Sequence, residues 1–299
     1  MLDEVFDASK YDFPVSKRAI KLADGTLIPE DQAMHIVNDL TNQPICATTQ
    51  SYPLMPVSTM ITPIGKAIKE RFSTKNVITR TKNVGDCYFE FVAEFPDYEY
   101  NIDGLGTVRP NFRFRTSYNR KFRNNGAVGD WRSHCYNTLV SGFKFAHVYA
   151  KHSKGFDPKF FVSKVEKALD MMGQNESEYR MLYDTSVSRA DVIDLFEHTV
   201  CKYENYATGN KKVNEGLLAT LMRKWDEEAR HVHGMGAYGP KKTRTGSMWN
   251  TYNALTWWST HYTDGRQRKN KPANPFGTLD IREQKVVKCM NSQYWKELI

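Results

Sequence analysis

Between Val77 and Tyr118 the apolar and polar positions change to a period near two. Phe89, Phe91 and Ala93 alternate with Tyr88, Glu90, Val92 and Glu94, and β-branched and aromatic residues are enriched, as strands require. Pro96 and Asp97 break the run, and Asp103-Gly104 is a hairpin-type turn signal. In Asn111–Asn119 the alternation is sharpest. As a strand it puts Phe112, Phe114 and Tyr118 on one side and Arg113, Arg115 and Ser117 on the other. Elsewhere the period lengthens. Pro29 followed by Glu30, Asp31, Met34, Ile36, Val37 and Leu40 predicts a short helix, and Thr62-Pro63 predicts the start of another reaching Phe72.

After Gly129 the pattern predicts mostly helices: His134 to Val148, Pro158 to Met172, one capped by Ser188, one after Gly209 with Val213, Leu217, Leu218, Leu221, Met222 and Trp225 inward, Met248 to Tyr262, and a last one from Ile281 through Leu298. Strands first and helices later give an α+β class. The expected organisation is a mainly β region over residues 1–130 and a helical layer over 131–299, packed as one compact unit. No internal repeat is evident. Trp249, Trp257 and Trp258 are expected mostly as core.

Length and composition permit a substantial core without staples: 299 residues, 40% hydrophobic and 13% aromatic. No apolar run approaches a membrane span, and the acidic Met1-Leu2-Asp3-Glu4 start does not resemble a secretory signal. The five dispersed cysteines read as reduced thiols in a cytosol rather than as a disulfide scaffold.

Charge changes the picture more. The net charge is +8, but residues 109–132 carry seven basic residues against one acidic, and residues 241–271 repeat that ratio. Two basic stretches on an otherwise slightly acidic chain suit a polyanion, with nucleic acid the leading candidate. Arg113, Arg115, Arg120, Lys121 and Arg123 are the expected phosphate contacts, because guanidinium forks give directional, charge-assisted hydrogen bonds. Lys241, Lys242, Arg244, Arg266, Arg268 and Lys269 form an expected second wall. The bland counterpart is a pair of solvated basic loops.

No recognised catalytic constellation competes. The stretch from Gly234 to Lys242 is glycine-rich and basic but lacks the ordered Gly-Lys-Ser/Thr of a nucleotide loop. His231 and His233 lack a completing ligand set, Cys135 beside His134 shows no activating partner, and the acid pairs Asp191/Asp194 and Glu227/Glu228 do not converge by spacing. No catalytic residue, metal or cofactor is assigned.

Three blocks carry a family resemblance. Asn111-Phe112-Arg113-Phe114-Arg115-Thr116-Ser117-Tyr118-Asn119 resembles a Ser-aromatic-Asp/Asn segment, Arg132-Ser133-His134-Cys135-Tyr136-Asn137-Thr138-Leu139 an Arg-x-x-Cys-x-Asn block, and Gly246 to Thr256 with His261 an aromatic Asn-Ala-x-Thr segment. Together they resemble the phage/plasmid-like family known as domain of unknown function 932 over roughly residues 75–262. The sequence departs from the Ser-aromatic-Asp-Gly form by carrying Asn119 and Arg120, which adds a basic group at the turn. The resemblance implies a phage or mobile-element protein in a host cytoplasm and suggests a distant relation to Redβ/Erf-type single-strand annealing proteins. The expected role is non-enzymatic binding or annealing of single-stranded DNA in replication or recombination, with a homo-oligomer able to align several such surfaces. Two other classes stay open: a protein that inhibits or regulates a host defence or host complex through protein contacts, and an unrecognised metal-dependent nuclease.

Overall fold

In the computed structural model the described residues are 12–72, 76–84, 87–102, 106–132, 138–139, 147–151, 157–170, 175–204, 209–233, 245–262 and 277–299. In chain order the elements are β1 (Val15–Ala19), β2 (Met34–Asn38), β3 (Gln43–Thr48), α1 (Ser58–Arg71), β4 (Ile78–Val84), β5 (Tyr88–Glu94), β6 (Tyr100–Ile102), β7 (Gly106–Ser117), β8 (Asn124–Arg132), β9 (Thr138–Leu139), β10 (His147–Ala150) and α2 (Pro158–Leu169). There follow α3 (Glu176–Asp184), β11 (Ser186–Ser188), α4 (Arg189–His198), β12 (Lys202–Glu204), β13 (Lys211–Val213), α5 (Glu215–His233), β14 (Thr245–Ser247), α6 (Met248–His261), α7 (Gly277–Met290) and α8 (Gln293–Lys296). The class is α+β: antiparallel sheets dominate the N-terminal region and helices the C-terminal one. Among the described residues no helix is long and apolar enough to cross a membrane.

The chain divides into two units, each discontinuous in sequence. The first comprises Met1–Asp97, Pro110–Val128 and Phe145–Met172. Its main sheet runs in the order β10-β8-β7-β5-β4, with β10 antiparallel to β8 and β5 antiparallel to both β7 and β4, and a separate sheet runs β1-β2-β3. Phe89, Phe91, Ala93, Phe112 and Phe114 fill the core of this unit with Ile61, Ile64 and Ile68 of α1 and Phe161 and Val165 of α2. The period-two reading places these phenylalanines correctly, because alternate residues of a strand share a face. Gly126 of β8 has a packing reason: a Cβ there would meet the Phe161 ring and the Val165 side chain at 3.1 and 3.2 Å.

The second unit comprises Tyr98–Arg109, Gly129–Lys144 and Gly173–Ile299. Its α6 is buried nearly all round, with Met248, Trp249, Tyr252, Ala254 and Leu255 in a core shared with Trp225, Leu221 and Trp295. Trp225 Nε1 donates to Thr251 Oγ1 at 3.0 Å, and a Cβ on Gly246 would lie 2.6 Å from the Trp225 ring, so glycine is the residue that fits there. Ser188 caps α4 as expected, in a reciprocal box with Asp191.

Several expected elements differ. Met34–Asn38 is a strand, not a helix: a register shift between Ile36 and Val37 buries both neighbours and breaks the alternation that would have identified it. The second helix begins earlier, at Ser58, and contains Pro63. Within the expected helix from His134 to Val148, Thr138–Leu139 and His147-Val148 are instead strand residues paired with β8. Lys211–Val213 is a strand that pairs with β12, so the helix after Gly209 starts at Glu215. The last helix breaks after Met290, and Ser292 caps a separate short turn. The Asp103-Gly104 turn lies outside the described residues; the strands on either side of it, β6 and β7, pair antiparallel.

Candidate nucleic-acid interface

The basic stretch that begins in β7 divides into two environments. Along the strand, register puts Glu90 opposite Arg115, Val92 opposite Arg113 and Glu94 opposite Asn111. These side chains share the face opposite the phenylalanines. Arg115 Nε donates to Glu90 Oε2, and Arg80 Nη2 lies 2.6 Å from Glu94 Oε1. Arg113 and Arg115 are only 5% and 6% exposed. The expectation that this row offers open guanidinium groups to phosphates is therefore corrected. A central strand has neighbours on both sides, and Glu90 of β5 pairs with Arg115, part of what the sequence shows as bare positive charge.

Past Ser117 the chain leaves the ladder and the environment reverses. Arg120 and Lys121 are exposed and Arg123 is half-buried. The turn that carries them is tightly held. Ser117 Oγ donates to Phe122 O at 3.0 Å and accepts from Phe122 N at 2.9 Å, and Lys121 N donates to Asn119 Oδ1 at 3.1 Å. Asn119 Nδ2 reaches Cys87 Sγ at 3.2 Å. Arg120 has φ +64°, a left-handed conformation that is unfavourable for a side-chain-bearing residue and persists only where the surroundings fix it.

Tyr118 supplies the anchor beneath this turn. Its ring packs edge-on against Phe13, its hydroxyl donates to Asp12 Oδ1 at 2.5 Å, and that hydroxyl accepts from Val57 N at 2.9 Å. Asp12 Oδ2 accepts from Ser58 N at 3.0 Å. The helix α1 has no cap of its own, since Val57 precedes it, so Tyr118 and Asp12 supply acceptors for its first free N–H groups. Burial and the Asp12 carboxylate both push the Tyr118 phenol up from its usual range. On the other side of the turn, Arg120 Cζ sits 4.9 Å from the centroid of the buried Tyr52 ring. Burial pushes the Tyr52 phenol up to about 12, with the Arg120 charge opposing. Cys46 Sγ contacts Tyr118 O at 3.6 Å; burial raises this thiol while Arg120 and Lys121 pull it down.

Lys241, Lys242, Arg244, Arg266, Arg268 and Lys269 lie outside the described residues, as do the glycine-rich stretch from Gly234 to Lys242 and the pair His134 and Cys135. Among the described residues no group of three or more His, Cys, Asp and Glu is placed to hold a metal.

One cluster in the second unit escaped the sequence reading. Asp130 Oδ2 accepts from Asn175 Nδ2 at 2.7 Å, from Tyr179 OH at 3.0 Å and from Tyr100 OH at 3.3 Å. The carboxyl is buried, and burial raises its pKa, with the three donors opposing. Tyr179 in turn packs against Trp249 and Tyr252 of α6. Nothing in the local sequence around Asp130 announces these partners, which come from segments 30 to 49 residues away.

Residues 48–280 match the family described as a domain of unknown function, DUF932. The chain belongs to that family. The DUF932 span holds all three blocks that suggested it, and it includes Tyr52, the whole basic turn and Asp130. Asp12, Phe13 and Cys46, which brace the turn from outside, precede it. No curated protein and no solved structure matches the chain.

Proposed function

We propose that this DUF932 protein binds single-stranded nucleic acid and that the turn from Tyr118 to Arg123 is a phosphate-contact site. The observation that supports this most is the presentation of Arg120 and Lys121: exposed, adjacent, beside Arg123, and on a turn fixed by Tyr118 and Ser117. A fixed cation loses less freedom on binding than one on a loose loop, so each contact is worth more. Arg113 and Arg115 leave the contact set, since both are buried and recruiting Arg115 would break its pairing with Glu90. The residues from Lys241 to Lys269 remain part of the proposal through their charge. The finer form of the reading is strand annealing of the Redβ/Erf type in a phage or mobile-element setting.

A titration of labelled single-stranded and duplex DNA at several salt concentrations tests it. The single strand is expected to bind more tightly, with affinity falling as salt rises. The triple substitution R120A/K121A/R123A is expected to reduce the slope of log K against log salt by about 2, since each single-strand phosphate contact contributes roughly 0.7. Absence of binding at low salt overturns the proposal. Binding without faster annealing of complementary strands removes only its finer form.

A further inference from the structure

The contact between Arg120 and Tyr52 points beyond phosphate neutralisation. We propose that the face of the Arg120 guanidinium turned away from Tyr52 is a stacking platform for an unpaired nucleobase, so that this turn reads single-strandedness itself. The inference rests on the nucleic-acid reading above and adds the base as ligand.

The geometry differs from that of an ordinary surface arginine. Tyr52 is 7% exposed while Arg120 above it is exposed, so the guanidinium lids the ring and the ring is not itself a platform. The 4.9 Å separation between Arg120 Cζ and the ring centroid is a cation–π distance. Tyr52 thus lies on one side of the guanidinium and leaves the other side for a ligand. The backbone is also fixed, at φ +64°, by a turn braced through Ser117 and Asn119. A guanidinium is planar, delocalised and weakly hydrated on its faces, and such planes stack on splayed bases in single-stranded complexes. Lys121, the next residue, is a compact cation suited to the neighbouring phosphate. In a duplex the bases are already stacked on each other, so this contact is withheld.

Three fluorescent probes of equal length separate the possibilities: an intact single strand, the same strand with abasic sites, which keeps its phosphate charge, and a duplex. The full chain is expected to bind the intact strand about fivefold or more tightly than the abasic one, within the range of one base stacked on one side chain. R120K keeps the charge but removes the plane, and it is expected to bring the intact and abasic affinities together. A 2-aminopurine base in the strand is expected to change its fluorescence on binding to the wild-type chain and not to R120K. Circular dichroism melts establish that R120K is folded. Equal wild-type affinity for intact and abasic strands overturns the stacking inference and leaves the phosphate reading standing. A base preference that survives in folded R120K also overturns it. Failure of every probe to bind at low salt overturns both.

Discussion

Arg113 and Arg115 are separated from Arg120 and Lys121 by only a few residues, and the sequence presents all four as one positive stretch. The fold treats them oppositely. The first pair lies in the middle of the β7 ladder, where Glu90 of the facing strand pairs with Arg115 and both arginines are buried. The second pair lies beyond the last register partner, Ser117 opposite Tyr88, on the exposed turn that follows β7. Positive charge in a sequence is therefore a sum of two quantities: charge buried in the fold and charge presented at its surface. Only the position of each residue relative to the ladder separates them.

The largest expected effect tests this division directly. Arg115→Ala strips the cation from the half-buried Glu90 carboxylate, and breaking such a pair costs about 3–5 kcal/mol. Arg120→Ala removes an exposed side chain and its cation–π contact with Tyr52, and is expected to change stability by no more than about 1 kcal/mol. Urea denaturation of both variants measures the contrast. The double variant R115A/E90A is expected to recover part of the loss, because no unpaired carboxylate remains. Equal costs for the two single variants would show that the strand arginine is not folded into the protein as described.

A smaller effect tests whether the turn is held in place. Tyr118→Phe keeps the ring against Phe13 but deletes the donor to Asp12 and the acceptor of Val57 N. Leaving these groups without their partner is expected to cost about 1–3 kcal/mol in the same denaturation assay. A cost within experimental error would mean that the turn does not depend on this anchor, and the exposed cations would lose their claim to a fixed geometry.

What was legible in the sequence follows the same line. Phe112, Phe114 and Tyr118 were placed on the buried side because a period of two is a property of one strand alone. The Ser188 cap and α6 were legible for a similar reason, since their signals are local. The pairing of Arg115 with Glu90 was not, because it is a fact of register between strands 25 residues apart. Nor was Tyr52 beneath Arg120, which lies in a different sheet's connection. The strand β2 was misread because Met34, Ile36 and Val37 after Pro29 fit a helical spacing, and the register shift that buries Ile36 and Val37 together appears only when β3 is beside it.

The smallest expected effect extends the comparison to a buried charge with neutral partners. Asp130 has two phenols and an amide where Glu90 has an arginine. Burial raises its folded pKa above 3.8, so as pH rises from about that value the unfolded chain releases the proton first. The folded state then holds more protons, and wild-type stability declines with pH until the folded carboxyl ionises. Asp130→Asn keeps a carbonyl acceptor for the three donors and has no proton to lose, so its net cost at neutral pH is expected within about 1 kcal/mol. The informative quantity is the variant's stability minus that of wild type, measured by denaturant at a series of pH values from 4 upward. That difference is expected to move in favour of the Asn variant as pH rises through the window above 3.8. A flat difference would mean that Asp130 is as well solvated in the fold as in the unfolded chain. A difference moving the opposite way would mean that the phenols and Asn175 stabilise the carboxylate more than burial penalises it, making Asp130 a relative of the paired acids in the sheet rather than their contrast.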